Sequence, residues 1–188
     1  AAPVLSVEQI ADFARDGYLV IEDFLDEAEL VPLEAVFERF LQGNSELIDG
    51  MGRDFCDMSG PYEREFADFN IVNAVLPRKY APELAGNIFE QRAQALAEQL
   101  IGPEATLDYD QFLSKRPGRD QAVFAWHLDL GYWPTGTPDT RTTTFSMALL
   151  SSSTISTRNR LPTSSSQLNG PSPIHQANGS STAVIANS

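Results

Sequence analysis

The sequence predicts an α+β protein in which helices come first along the chain and pack against an antiparallel β-sandwich or barrel. Three observations predict this class. Helical periodicity recurs through residues 6–101, β-rich runs bounded by turn residues occupy residues 106–150, and 42% of the 188 residues are apolar. A chain of this length and composition can bury a sizeable core, which excludes wholesale disorder.

Two helices are predicted near the N-terminus. Ser6 and Gln9 form a capping box, and apolar residues then recur at helical spacing up to Gly17, which is suited to a left-handed C-terminal cap. Asp26 begins a second helix that extends to about Gln42. Both helices have one apolar face, so we expect them to pack on the sheet.

The second helix carries Phe37 and Phe40 on its apolar stripe, and we interpret both as core rather than as site residues. Residues 43–80 mix Gly, Asp and Pro with aromatic residues, which predicts an irregular stretch with one short helix near residues 68–76. Cys56 falls in this stretch without a metal-ligand partner, and we expect it to be inert.

A third long helix and four β-rich runs complete the predicted elements. The helix covers residues 83–101 and is closed by Gly102-Pro103. A turn that begins at Arg116 separates the second β-rich run from the third. The four runs are residues 18–22, 106–115, 121–130 and 141–150.

The net charge excludes several classes of function. It is -13, from 26 acidic and 13 basic residues, so the surface repels phosphate backbones and anionic lipid, and we expect no nucleic-acid or membrane partner. The single cysteine excludes an internal disulfide framework and a cysteine-based zinc cluster. No apolar run approaches the roughly 20 residues of a membrane span. We expect a cytoplasmic protein that acts on a small molecule.

The composition changes abruptly after Leu150. Residues 1–150 hold all 26 acidic residues and 11 of the Lys and Arg residues, whereas residues 151–188 hold two Arg and no acidic residue. Ser and Thr make up 15 of these last 38 residues, and none is aromatic. We therefore divide the chain into residues 1–150, with the helices and first strands, and residues 151–188, a tail that cannot offset its ordering entropy alone.

His127 and Asp129 form the candidate metal site. They are two residues apart near the end of a predicted strand, so the alternation of a strand places both side chains on one face. An imidazole and a carboxylate supply two of the three ligands of a facial triad for non-haem Fe(II). The same spacing is also typical of a strand-end pair that is solvated or bonded to itself, and spacing alone leaves both interpretations open.

Four segments give the chain a resemblance to a known family. Residues 8–25 resemble the opening helix and first strand of the phytanoyl-CoA dioxygenase family of Fe(II)/2-oxoglutarate oxygenases. Residues 112–118 resemble the strand and turn that precede its metal, and residues 126–134 resemble its His-x-Asp segment with the aromatic pair that follows. Residues 141–149 resemble its next core strand. The four segments occur in the family's order, which is more specific than any one of them.

The resemblance implies a double-stranded β-helix (jelly roll, cupin-like) with the N-terminal helices packed on one sheet. It implies Fe(II) held by His127, Asp129 and one later histidine, and 2-oxoglutarate whose far carboxylate pairs with a distal Arg or Lys. In the implied reaction O₂ oxidises 2-oxoglutarate to succinate and CO₂ and hydroxylates an unactivated C–H bond. Halogenating relatives leave the position of Asp129 open for chloride, so this carboxylate favours hydroxylation.

Five further residues are candidates for the pocket. Gln111 and Phe145 are expected to line the cosubstrate pocket, although plain core packing explains either residue equally well. Lys115 is either a pocket cation or the residue before a turn. Tyr132 and Trp133 are either substrate contacts at the mouth of the barrel or an aromatic plug packed on the N-terminal helices.

The sequence departs from the family pattern after residue 149. The only other histidine, His175, lies in a loop-like segment and is not expected to be a ligand, so the third ligand stays unassigned. Arg160 is the last basic residue. Arg158–Thr163, back-translated and shifted by one base, can read Gly-Thr-Gly-Cys-Leu, which the family would place here. We hypothesise that residues from about 150 onward are either frame-shifted or a genuinely divergent tail.

Two functions from different classes follow. The first is a dioxygenase acting on a small organic or acyl substrate. The second is a non-catalytic jelly-roll remnant or binding module that lacks the third metal ligand. A jelly roll needs about eight strands, and fewer are predicted before residue 151. We therefore expect the chain to self-associate through an unclosed sheet, to fill the gap with its Ser-rich tail, or to stay partly open.

Overall fold

The computed structural model describes residues 3–61, 63–123, 143–148 and 182–187, the last two ranges as backbone strands only. The first helix, α1 (Val7–Asp16), begins at the predicted capping box of Ser6, and it ends at Gly17 with a φ of 79°. The second helix, α2 (Glu27–Leu41), has the predicted cap at Asp26. These local signals therefore set both helices where the sequence predicts them.

The described residues also form three more helices and six strands. Short 3₁₀ turns at residues 52–54, 66–68 and 82–84 connect some of them. The strands are β1 (Tyr18–Ile21), β2 (Phe55–Asp57), β3 (Ile71–Val75), β4 (Gln111–Lys115), β5 (Thr143–Ala148) and β6 (Thr182–Asn187), and the helices are α3 (Ser45–Ile48), α4 (Pro77–Tyr80) and α5 (Ile88–Ile101).

The strands form two three-stranded antiparallel sheets. In the first, β3 lies between β2 and β4, with Asn73 opposite both Cys56 and Leu113. In the second, β6 lies between β1 and β5, with Val184 opposite both Val20 and Ser146. Because β6 belongs to residues 151–188, part of the tail pairs with β1 and β5 in this sheet.

The structure corrects the interpretation of residues 43–80. The short helix predicted at residues 68–76 is wrong, because Ile71–Val75 form the central strand of the first sheet. Ile71, Val72, Asn73 and Ala74 are all at most 1% exposed, so this strand lacks the polar alternation that reveals a half-buried strand. Cys56 likewise lies on β2 rather than in a loop.

Other element boundaries also differ from the predicted ones. The helix expected at residues 83–101 begins only at Ile88, because Asn87 caps it and a 3₁₀ turn precedes it. The strand expected at residues 106–115 is confined to residues 111–115. Of the strand expected at residues 121–130, only residues 121–123 are described, and they are not part of a strand.

The core lies between the helices and one face of the first sheet. Phe40 and Leu96 are fully buried there, and the ring of Phe37 stacks on that of Phe112 at 4.3 Å. The prediction that Phe37 and Phe40 are core residues is thus confirmed. None of the described helices has the length and apolar character needed to cross a membrane.

Candidate functional site

Strand β4 presents its candidate residues on the face opposite the helices. Phe112 packs against the rings of Phe37 and Phe40, which fixes the side of the sheet that faces the helical core. Since side chains alternate along a strand, Gln111 and Lys115 lie on the other face. Both are exposed in the structure. The alternation thus brings two of the predicted cofactor-binding residues to one face of one strand.

A row of hydrogen-bonded side chains crosses this face of the first sheet. The Nε2 of Gln111 donates to the Oδ1 of Asn73 at 2.7 Å, and the Nδ2 of Asn73 donates to the Sγ of Cys56 at 3.3 Å. Asn73 is 1% exposed, so its amide is held on both sides by partners rather than by water. With its N–H used in this way, the Gln111 amide directs its Oε1 away from Asn73.

Asn73 is a member of this row that the sequence did not single out. It sits in the apolar run Ile71-Val-Asn-Ala-Val, where the signal was available: an amide in the middle of a buried strand needs partners. Its role depends on Gln111 and Cys56, which are far from it in sequence. The polar residue could therefore be noticed in the sequence, but its partners could not be assigned.

Lys115 ends β4 at the point where the chain enters a turn. It is exposed and lies opposite Ile71 in the register of the sheet. The backbone N–H of the next residue, Arg116, donates to the carbonyl of Asn70 at 2.9 Å, which continues the strand pairing by one step. Lys115 is thus the residue before a turn, and its use as a pocket cation stays a prediction.

The remaining predicted site residues are not tested by the structure. The proposed metal ligands His127 and Asp129 lie outside the described residues, as do His175 and the proposed substrate contacts Tyr132 and Trp133. Phe145 lies on β5 opposite Ile185, and only its backbone is described. Within the described part of the chain, three or more His, Cys, Asp or Glu residues never cluster as metal ligands do.

Asp110, the residue before β4, carries the clearest electrostatic perturbation next to this face. Burial raises the pKa of its carboxyl group, and the guanidinium of Arg78, with Nε at 3.5 Å from Oδ1, opposes that rise. Arg78 also lies 3.9 Å from Glu90, so its guanidinium forms ion pairs with two carboxylates. Among the described residues, the buried Oδ1 of Asp110 has no hydrogen-bond partner.

A second perturbed carboxylate, Asp57, anchors the loop between β2 and β3. Burial alone would raise the pKa of Asp57, but backbone N–H groups of Asn70, Ser59 and Ile71 donate to it and lower the pKa to about 2. Arg64 pairs with the same carboxylate. This ionised, fully bonded group fixes where β3 begins, and so fixes the register of Asn73.

The helices pack on one face of an antiparallel sheet, which makes this an α+β protein. The polar side chains on the other face of that sheet form the candidate ligand surface. The chain belongs to the phytanoyl-CoA dioxygenase (PhyH) family, whose profile matches residues 13–153. The matched residues include His127, Asp129 and all of β4.

Two curated relatives illustrate the similarity. Ectoine dioxygenase from Nocardia farcinica (strain IFM 10152) is 26% identical over 144 residues, which are 76% of this chain and 45% of that protein. Ectoine dioxygenase from Bordetella parapertussis is 26% identical over 133 residues, which are 70% of this chain and 39% of that protein. The chain thus spans less than half the length of these relatives. No solved structure matches it.

Proposed function

We propose that this protein acts as an Fe(II)- and 2-oxoglutarate-dependent dioxygenase that hydroxylates an unactivated C–H bond of a small organic or acyl substrate. The observation that carries the proposal is the family match over residues 13–153, which contains the His127-x-Asp129 pair. Imidazole and carboxylate are the donors that non-haem Fe(II) takes in a facial triad. With the metal and 2-oxoglutarate bound, O₂ would supply the oxidising power for the C–H bond, and 2-oxoglutarate would be oxidised alongside it to succinate and CO₂.

The chain's own residues have distinct tasks in this proposal. His127 and Asp129 hold the metal, and Lys115 neutralises a carboxylate of 2-oxoglutarate. Gln111, held by Asn73, offers its Oε1 to a hydrogen-bond donor. Phe145 walls the cosubstrate pocket, and Tyr132 and Trp133 contact the substrate and keep water from it. The relatives' name makes ectoine the first substrate to assay.

The proposal includes a double-stranded β-helix as the scaffold. It is supported by the antiparallel pairing of both sheets and by the helices packed on one face of the first sheet. The six described strands are fewer than the roughly eight of a complete jelly roll.

The test is an anaerobic titration of the full chain with Fe(II) and 2-oxoglutarate, followed by an assay for succinate in air. We expect the metal-to-ligand absorption band of the ternary complex in the wild type and its loss in His127→Ala. His175→Ala is the matched control, because it removes the only other histidine. We expect it to retain the band.

The second candidate function is a non-catalytic jelly-roll remnant or binding module. The observation that favours it is the histidine count, since His175 is the only candidate for a third histidine ligand. A wild type that gives neither the band nor succinate would reject the dioxygenase and support this alternative. Loss of the band in His175→Ala would instead identify His175 as the third ligand.

A further inference from the structure

Two arginine side chains converge on one backbone oxygen beside the turn after β4. The Nη1 of Arg116 donates to the carbonyl of Ala67 at 3.1 Å, and the Nη2 of Arg119 donates to the same carbonyl at 2.9 Å. The two lone pairs of this carbonyl thus accept one donor from each guanidinium. The two cations are therefore close together, and their charges repel.

Neither arginine of this pair has a close ion-pair partner within the described part of the chain. Neither Arg116 nor Arg119 forms an ion pair there, although Asp68 and Asp120 line the groove that contains Arg119. Burial, followed by the charge of Arg119, lowers the pKa of Arg116, and the charge of Asp57 partly opposes this shift. Holding two like charges together costs free energy, and an anion bound between them would offset that cost.

The geometry leaves donors available for such an anion. Arg116 is half-buried and lies over the ring of Phe66 at 4.3 Å, so the ring covers one face of its guanidinium. A guanidinium has five N–H donors, and the structure uses one side-chain donor of each arginine on Ala67. Arg64 lines the groove beside Arg119, with its own charge paired to Asp57.

A pair of neighbouring arginines is unusual in this molecule, because most of its charged residues are acidic. Residues 1–150 contain 26 acidic residues against 11 Lys and Arg, so anions are repelled by most of the surface. We propose that Arg116 and Arg119 form a binding site for the carboxylate or phosphate group of a small anionic molecule. Arginine pairs suit both groups, because the guanidinium fork matches two oxygens of either one. The site is independent of the metal and of the proposed dioxygenase activity.

The test is calorimetric titration of the full chain with two probes, inorganic phosphate and acetate, at constant ionic strength. We expect saturable binding of at least one probe, weakened about tenfold or more in Arg119→Gln. Arg119→Lys keeps the charge but not the fork of two donors, so its affinity should lie between those of the wild type and Arg119→Gln. Arg15→Gln is the matched control, because it removes one exposed positive charge from α1. We expect it to bind as the wild type does.

The two probes distinguish the sources of the ligand. Tighter binding of phosphate points to a phosphorylated molecule, and tighter binding of acetate points to a carboxylic acid; each supports the site. The proposal is overturned if neither probe gives saturable binding, if Arg119→Gln binds as the wild type does, or if Arg15→Gln weakens binding equally. The readout is binding rather than stability, so a merely structural role of the arginines in docking the turn would leave it unchanged.

Discussion

The two sheets of this protein are assembled differently. The β2-β3-β4 sheet joins segments from residues 55–115. Its central strand is buried, and Ile71 and Val72 are fully inaccessible to solvent. The β1-β6-β5 sheet joins one segment from each of three distant parts of the chain, and its central strand, Thr182–Asn187, belongs to the low-acid tail. A break in composition therefore does not mark the end of the fold, because backbone pairing needs no particular side chains.

The largest expected effect tests the packing that supports the first sheet. Phe40 is fully buried and contacts Phe112, so Phe40→Ala should lower the free energy of unfolding by about 4 kcal/mol. Val31→Ala is the control, since Val31 is 57% exposed on the same helix and should change little. Urea denaturation followed by circular dichroism measures both. Equal losses in the two variants would show that Phe40 is not a core residue.

The next effect tests the polar anchor of the same sheet. Asp57 accepts hydrogen bonds from three backbone N–H groups and pairs with Arg64, so Asp57→Asn should cost about 3 kcal/mol. Asp108→Asn, at an exposed position, should be close to neutral. If denaturation midpoints of the two variants coincide, the anchor does not stabilise the sheet.

The carboxylate of Asp57 should also make the stability of the fold depend on pH in the acid range. The pKa of Asp57 is about 2 in the folded protein, against an ordinary value of 3.8, so ionisation favours folding above pH 3.8. This contribution, roughly 2 kcal/mol, is lost as the pH falls from about 4 to 2. Thermal melts of wild type and Asp57→Asn at stepped pH isolate it, because the variant lacks this group. A wild type whose melting temperature tracks the variant's across that range contradicts the assignment.

A smaller and local effect should appear in the second sheet. Val184 lies opposite Val20 and Ser146, so Val184→Pro removes an N–H from the ladder of a central strand. Amide exchange in β1 should then accelerate at least about tenfold, or about 1.4 kcal/mol, while β3 keeps its protection. Ala177→Pro, outside β6, is the control. Unchanged exchange in β1 would mean that the tail strand contributes nothing to this sheet.

The smallest effect concerns the cap of α1, the helix that precedes β1. The Oγ of Ser6 accepts from the N–H of Gln9 at 3.1 Å, so Ser6→Ala should cost about 1 kcal/mol. Ser6→Asn keeps an acceptor at the cap and should cost less than half as much. Thermal denaturation measures the stability of both variants. If Ser6→Ala and Ser6→Asn lose the same free energy of unfolding, the side chain of Ser6 does not stabilise α1 as a cap.

Part of the site could be predicted from sequence, and part could not. Alternation within β4 places Gln111 and Lys115 on one face, and reading the strand is enough to establish this. The Asn73 that holds Gln111 was missed, because the two residues meet only through the pairing of β3 with β4. The proposed ligands His127 and Asp129 rest on the sequence and the family match, and the titration described above tests them.

The sequence by itself determined the two N-terminal helices and the family. Ser6 and Asp26 set the starts of α1 and α2, and the spacing of Phe37 and Phe40 marked a buried face, because capping and periodicity act over a few residues. The family followed from motifs in a fixed order, which needs no coordinates.

Only the tertiary structure decided which distant segments meet. It made residues 71–75 a central strand, placed β6 between β1 and β5, and set two arginines on the carbonyl of Ala67. Each of these contacts joins segments whose own sequences carry no information about their partners. The free energy that selects among such pairings comes from the burial and hydrogen bonding of the whole fold.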